Sequence, residues 1–376
     1  MKKTLLTRCL YCAILISCLM LASATHLMAE STPHLLRYGD TFPEFTMEQP
    51  LLPQENEYLG LPEGKPFKVK DISTDLLLIE FLNKYCYNCQ VQAPIFNQLF
   101  KAIHDDPSLT SKVKMMGIGV GNNRIQTEAF RKEKSIPFPI IPDPNFKLYE
   151  LVGEPKTPFT LLLRRNEKGE WAILSAHLGV IILPDSYLEE VRAVLQYDMK
   201  LVQLQKGKKA LVPEGGEVKL PVSEADLLKL VSESMALPGV KLVNVEKILL
   251  SGNETIYVGR LEGEKKKRLL FSQVVSRQSF CDVCHDLHFI YTFDEDGKVV
   301  NFIPVHLTKY GNKEWDEDDA KKMKSRIEGS SILKKYDFNP DIDAVSTATI
   351  TSLIIFNRLN HGKDTLNKLK AGGYIK

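Results

Sequence analysis

DLLLIEFLNKYCYNCQVQAPIFNQLF, residues 75–100, is the stretch whose reading decides the fold. Leu76 to Leu82 is an apolar run, broken only by Glu80, with the length of a strand buried on both faces. After the polar Asn83 and Lys84 come Cys86-Tyr87-Asn88-Cys89, and then Val91, Ile95, Phe96, Leu99 and Ile103 recur at helical spacing. A helix is therefore expected to begin close to the second cysteine. The unpaired N–H groups and the dipole at a helix start favour a thiolate, so Cys86 is expected to be the acidic, nucleophilic thiol. Cys89, one turn on, would resolve the mixed disulfide that Cys86 forms. Glu80, six residues before Cys86, is a carboxyl inside an apolar strand. Its pKa should be raised, which suits it to carry the resolving thiol's proton.

The order strand, C-x-x-C, helix resembles the thioredoxin superfamily, and within it the exported thiol-disulfide oxidoreductases of the TlpA/ResA type. The resemblance covers about residues 38–200. Glu80 stands where thioredoxins carry their buried acid, Tyr85 replaces the usual tryptophan, and Thr157-Pro158 before the apolar run Phe159 to Leu163 matches the cis-proline facing the dithiol. The resemblance implies an α/β thioredoxin fold, a mixed central sheet with helices on both faces, and catalytic roles for Cys86, Cys89, Glu80 and Pro158. The competing interpretation of the pair is a zinc half-site or an inert disulfide, and zinc would need further ligands.

With 376 residues the chain exceeds one ordinary core, so two domains are expected. Its 49 basic and 47 acidic residues leave a net charge of +2, which argues against a general nucleic-acid role. Met1-Lys2-Lys3, an apolar region, and small residues at Ala22-Ser23-Ala24 and Ala29 are the pattern of a signal peptide over residues 1–29. Leu15-Ile16-Ser17-Cys18 is also a lipoprotein-type box, the alternative being a lipid anchor at Cys18. Export removes Cys9, Cys12 and Cys18 and leaves two C-x-x-C pairs, a pattern closer to redox chemistry than to stapling.

Residues 30–204 are assigned to the thioredoxin-like domain, with 47–66 expected as loop and Val113–Val120 as a second buried strand. A helix is expected over Arg124–Lys132, a proline-laden connection over Pro137–Pro144, and a hairpin over Phe159–Arg165 and Trp171–His177. One closing helix is expected over Pro184–Leu204. Residues 205–222, rich in Lys, Gly and Pro, are expected to be a linker. Residues 223–376 then form a smaller α+β domain: a helix capped by Ser223, strands at Lys241–Leu250, Thr255–Leu261 and Arg268–Ser276, and a hairpin turning at Asp296-Gly297.

Two motifs stand out there. Cys281-Asp282-Val283-Cys284-His285 is a C-x-x-C-H signature, which marks either c-type haem attachment with His285 on the iron or a second redox pair. It leads almost directly into a strand, where haem sites usually use a helix. A third possibility joins the halves, the first pair oxidising or reducing Cys281 and Cys284. The segment Asp341 to Ser352 opens a helix with hydroxyl side chains, a phosphate-binding geometry. It resembles the FMN-binding domain of ion-pumping quinone reductase subunits, with Asp343, Ser346, Ala348 and Thr349 matching and Thr347 departing from the small residue used there. That resemblance implies FMN held by Asp343, Ser346 and Thr349, with Thr349 as the acceptor; hydroxyl-rich helix caps are also common without any ligand.

Together these features describe an exported thiol-disulfide oxidoreductase, with a second domain that carries or accepts electrons. The dithiol chemistry needs no cofactor. Expected partners are proteins bearing dithiols or disulfides, an apo-cytochrome among them, and an upstream thiol-redox or electron donor. The rivals are a flavin- or haem-carrying electron-transfer protein and a non-catalytic module that holds a partner.

Overall fold

The computed structural model describes residues 36–50, 52–211, 218–252, 254–263, 267–281 and 283–375. The expected signal peptide over 1–29, Cys18, residues 212–217 of the expected linker and Asp282 of the second motif lie outside them. Among the described residues, no helix is long and apolar enough to cross a membrane.

The first sheet is built around β1 (Leu76–Leu82), every residue of which is buried. β1 runs parallel to β2 (Val113–Val120) and antiparallel to β4 (Phe159–Arg165), and the full order is β3-β2-β1-β4-β5, with β3 at Ile140–Asp143 and β5 at Trp171–Leu178. This is a thioredoxin-like sheet, with α2 (Tyr87–Asp105) leaving the end of its central strand. Leu76, Leu78 and Leu82 face a core shared with Phe96 and Leu99 of α2, Phe130 of α3 (Arg124–Glu133) and Val191 and Val194 of α5 (Pro184–Leu195). Leu77, Ile79 and Phe81 point the other way, towards Leu59 of α1 (Pro53–Leu59) and Leu148 of α4 (Lys147–Leu151). The strict alternation follows from the period of two along a strand.

The second sheet is an antiparallel meander, β10-β9-β8-β7-β6 in order. Its strands are β6 (Lys241–Leu249), β7 (Thr255–Glu262), β8 (Lys267–Arg277), β9 (Leu287–Asp294) and β10 (Val299–His306). Helix α7 (Glu224–Ser234), capped by the Ser223 hydroxyl, covers one face with Leu227 and Val231. Gly259 permits that approach, because a Cβ there would come within 2.4 Å of Met235 Sδ. On the other face lie α8 (Glu317–Ile327), α10 (Thr349–Asn360) and α11 (Gly362–Ala371), through Met323, Leu353 and Leu366. The short α9 (Pro340–Asp343) precedes α10.

The two lobes share one continuous core, which passes through Phe146, Tyr149, Phe280 and Leu353. Gly121 sits at this junction with φ +66°, and a Cβ on it would lie 2.5 Å from Phe146 and 2.7 Å from Leu353. Arg277 adds an ion pair across the junction, 2.8 Å from Glu154. Leu211 N–H donates to the Leu36 carbonyl at 2.9 Å, so the chain past 205 still belongs to the first lobe's edge.

Three local expectations change. Pro137–Pro144 contains the edge strand β3, where Pro142, lacking an N–H, is tolerated because only one side of the strand is paired. Residues 47–66 contain α1, started by Pro53 and ended by Gly60 in the left-handed conformation. The closing helix is two, α5 and α6 (Met199–Gln205), because Asp198 caps a new start by accepting from Lys200 N–H.

Candidate active site

The loop from β1 into α2 is clamped by side-chain amides. Asn83 Nδ2 donates to the Val120 carbonyl at 2.6 Å, and its Oδ1 accepts from Tyr85 N–H at 2.8 Å. Asn122 Oδ1 accepts from Lys84 N–H at 2.8 Å. So held, Cys86 becomes the N-cap of α2, and the helix starts at Tyr87 rather than at the second cysteine. The Cys86 sulfur accepts from Cys89 N–H at 3.4 Å, and Cys89 Sγ accepts from Asn83 N–H at 3.5 Å. Both sulfurs are buried, and no disulfide joins any of the four described cysteines.

Glu80 is fully buried on the face of β1 that carries Leu78 and Leu82 and that packs, with Cys86 and Cys89, against α2. Its Oε1 has no hydrogen-bond partner, and burial pushes its pKa up to about 8. At neutral pH it is mainly a carboxylic acid, able to give a proton to a Cys89 thiolate; as a carboxylate it can take that proton back.

The Thr157–Pro158 bond is cis, and the Thr157 carbonyl accepts from the Cys86 thiol at 3.5 Å. The other side of Thr157 is occupied by the second motif. Thr157 N–H donates to the Phe280 carbonyl at 2.6 Å, its hydroxyl donates to the same oxygen at 3.0 Å, and Thr157 and Cys281 form a parallel β-bridge. Phe280 is buried against Phe146 and Tyr149, with ring centroids 5.8 and 6.4 Å away. This brings the Cys281 sulfur into hydrogen-bond contact with Cys86. The two C-x-x-C pairs therefore meet sulfur to sulfur, although residues 90–280 separate them along the chain, so no local pattern announces the contact.

The electrostatics reverse one expectation. The depressed thiol is Cys281, held below the usual thiol range by hydrogen bonds from the Cys284 and Cys86 thiols and from the Val283 and Cys284 N–H groups. Cys86 is instead pushed up, because Cys281 and Cys89 beside it and its own burial all disfavour a second anion there. The helix start at Cys86 is present as expected, but docking of the second motif decides where the charge sits.

His285 is exposed, its N–H donating to Asn312 Oδ1 at 3.0 Å and its ring stacked on His306 with centroids 6.0 Å apart. A haem joined through both Cys281 and Cys284 would need room at Cys281, where Cys86 and the Thr157 bridge already sit. The motif does not fit haem. The flavin trio is also dispersed in role. Asp343 is buried, paired with Arg326 at 2.9 Å and accepting from Asn339 N–H at 2.8 Å. Ser346 is exposed and Thr349 half-buried at the start of α10, whose Leu353 and Phe356 are taken up by packing. Asp343 is taken up by these pairings, whereas Ser346 and Thr349 lie just before and at the start of α10, as the resemblance implies. Phe280, Arg277 and Asn83 carry no role in the sequence pattern; Phe280 alone has a signal, as the aromatic residue just before Cys281.

No protein-family model matches the chain. The thiol-disulfide oxidoreductase ResA of Geobacillus thermodenitrificans is 23% identical over 106 residues, which are 28% of this chain and 58% of that protein. The chain thus spans little more than half the length of this curated relative. Among solved structures, StoA from Bacillus subtilis is 22% identical, covering 39% of this chain and 96% of its own, with a TM-score of 0.29. A secreted Mycobacterium tuberculosis disulfide oxidoreductase homologous to Escherichia coli DsbE is 17% identical, covering 40% and 95%, with a TM-score of 0.30.

Proposed function

We propose that this chain is an exported thiol-disulfide oxidoreductase that uses Cys86 and Cys89 on protein dithiols or disulfides. The observation that carries this is the buried pair at the start of α2, with Glu80 on the strand face beneath it and the Thr157 carbonyl against Cys86. Likeness to ResA over the matched residues supports the same chemistry. Cys86 attacks a substrate disulfide and forms a mixed disulfide; Cys89 then attacks Cys86 and releases the reduced substrate. Glu80 holds the proton that Cys89 loses or regains, and Pro158 shapes the groove that Thr157 lines. No cofactor enters these steps. The leader-like sequence of residues 1–29 supports export, and an apo-cytochrome is one protein of the required kind outside the cytoplasm.

The test is insulin reduction by dithiothreitol, run with Phe280→Ala, Cys281→Ser and Cys284→Ser in place, so that Cys86 is uncovered and the second pair cannot answer for the first. Turnover above background is expected, falling to the uncatalysed rate when Cys86→Ser is added. An unchanged rate after Cys86→Ser would remove Cys86 from its role.

A further inference from the structure

Among the four described cysteines, Cys86, Cys89 and Cys281 are buried, and Cys284 alone is partly exposed. A foreign protein therefore cannot reach Cys86 while residues 279–281 are in place. Those residues hold the position a substrate strand would take. Extended backbone is added to Thr157 through the 2.6 Å hydrogen bond and the β-bridge, an aromatic anchor fills the pocket between Phe146 and Tyr149, and a cysteine sulfur meets Cys86. Backbone pairing with one anchored side chain is a general way for one chain segment to be recognised by another.

We propose that the Cys281–Cys284 pair is this chain's own substrate, exchanging electrons with Cys86–Cys89 through a Cys86–Cys281 mixed disulfide, and that outside thiol partners act on the chain at Cys284. The proposal rests on the dithiol role given to Cys86 and Cys89 above. In the first step Cys86 loses its proton to solvent, and the thiolate attacks Cys281 Sγ of a Cys281–Cys284 disulfide. The Cys86–Cys281 bond forms, the Cys281–Cys284 bond breaks, and Cys284 leaves as a thiolate that takes a proton from solvent. In the second, Cys89 loses its proton to the Glu80 carboxylate and attacks Cys86 Sγ. The Cys86–Cys89 bond forms and Cys281 leaves as a thiolate. Two electrons have moved from the first pair to the second, and nothing outside the four sulfurs is consumed. The N–H groups of Val283 and Cys284 that stabilise the Cys281 anion favour this direction, since a pair with a stabilised thiolate is the better electron acceptor. An outside disulfide then collects the electrons at Cys284.

The test uses the full chain carrying Cys89→Ala and Cys284→Ala, which removes both resolving thiols, with Cys89→Ser and Cys284→Ser as a second version should the first fold poorly. After mild oxidation with oxidised glutathione, trypsin digestion and mass mapping, the fragments 85–101 and 278–298 should be joined through Cys86 and Cys281. The link should form within monomers and at a rate independent of protein concentration. If Cys86 and Cys281 carry glutathione instead, or are joined only between chains, the internal exchange is wrong. The unsubstituted protein separates the two claims. A Cys86–Cys89 disulfide there, with no Cys86–Cys281 link in the variant, overturns the relay and leaves the dithiol role standing. If neither bond forms, both fall.

Discussion

Phe280→Ala is expected to make Cys86 reactive towards iodoacetamide, raising its alkylation rate roughly 100-fold or more while the global fold persists. Phe280 is the anchor of the docked segment, almost wholly buried between Phe146 and Tyr149. Deleting a buried phenyl ring costs about 3–5 kcal/mol, and each 1.4 kcal/mol is about a factor of ten in an equilibrium. The least costly response is local. Residues 279–281 are held by the Thr157 contacts and the ring, whereas β8 before them and β9 after them are locked into the second sheet. Lifting this segment uncovers Cys86 without opening either core. The check is the alkylation rate at Cys86 together with the midpoint of urea unfolding. Alkylation as slow as in the unsubstituted protein would mean that Phe280 does not hold the gate.

Glu80→Gln is expected to stabilise the fold at neutral pH and to slow closure of the Cys86–Cys89 disulfide. The carboxyl is fully buried on the central strand, opposite Gly117 and Thr160, with its pKa raised to about 8. In the unfolded chain it ionises near its ordinary value of 4.5. Below that value it is neutral in both states and costs nothing as a charge. Between 4.5 and about 8 the unfolded chain gains by ionising and the folded chain does not, so stability falls as pH rises; above about 8 the loss levels off. The stability gap between the Glu80→Gln variant and the unsubstituted protein should therefore widen by roughly 3 kcal/mol from about pH 4 to about pH 7, an order-of-magnitude figure set by about 1.4 kcal/mol per pH unit. Disulfide closure in the unsubstituted protein should speed up with pH through about 8, where the carboxylate forms, and that inflection should vanish in the variant. Urea unfolding at several pH values and stopped-flow oxidation read the two effects. A gap that does not change with pH would mean that Glu80 ionises as freely in the folded protein as in the unfolded one.

Much of the first lobe is legible in sequence because its signals are local. The apolar run 76–82 is β1 to the residue, and the C-x-x-C and Thr-Pro motifs fall where the strand order needs them. The second lobe's strands are also close to expectation, since each alternates or carries a β-rich run bounded by turn residues. Prolines mislead at β3, where an edge position accepts Pro142, and Asp198 is a helix cap hidden inside a periodic apolar pattern. The site is half legible. Cys86, Cys89 and Glu80 come together as their spacing implies, but the thiol of lowest pKa is Cys281, because the charge follows hydrogen bonds made across the lobes. Such contacts depend on how Phe280 seats between Phe146 and Tyr149, which periodicity does not encode. The C-x-x-C-H and hydroxyl-rich motifs leave haem, flavin and a second redox pair open for the same reason. Burial of Cys281 and the Asp343–Arg326 pair become visible only in three dimensions.

The most direct test is a redox titration of the purified full chain in glutathione buffers, quenched with acid, alkylated and mapped by mass. Two reversible two-electron couples are predicted, one closing Cys86 on Cys89 and one closing Cys281 on Cys284, with the second becoming reduced at the more oxidising potential. Cys86 and Cys89 remaining thiols across the whole range, or pairing only with glutathione, would contradict the account.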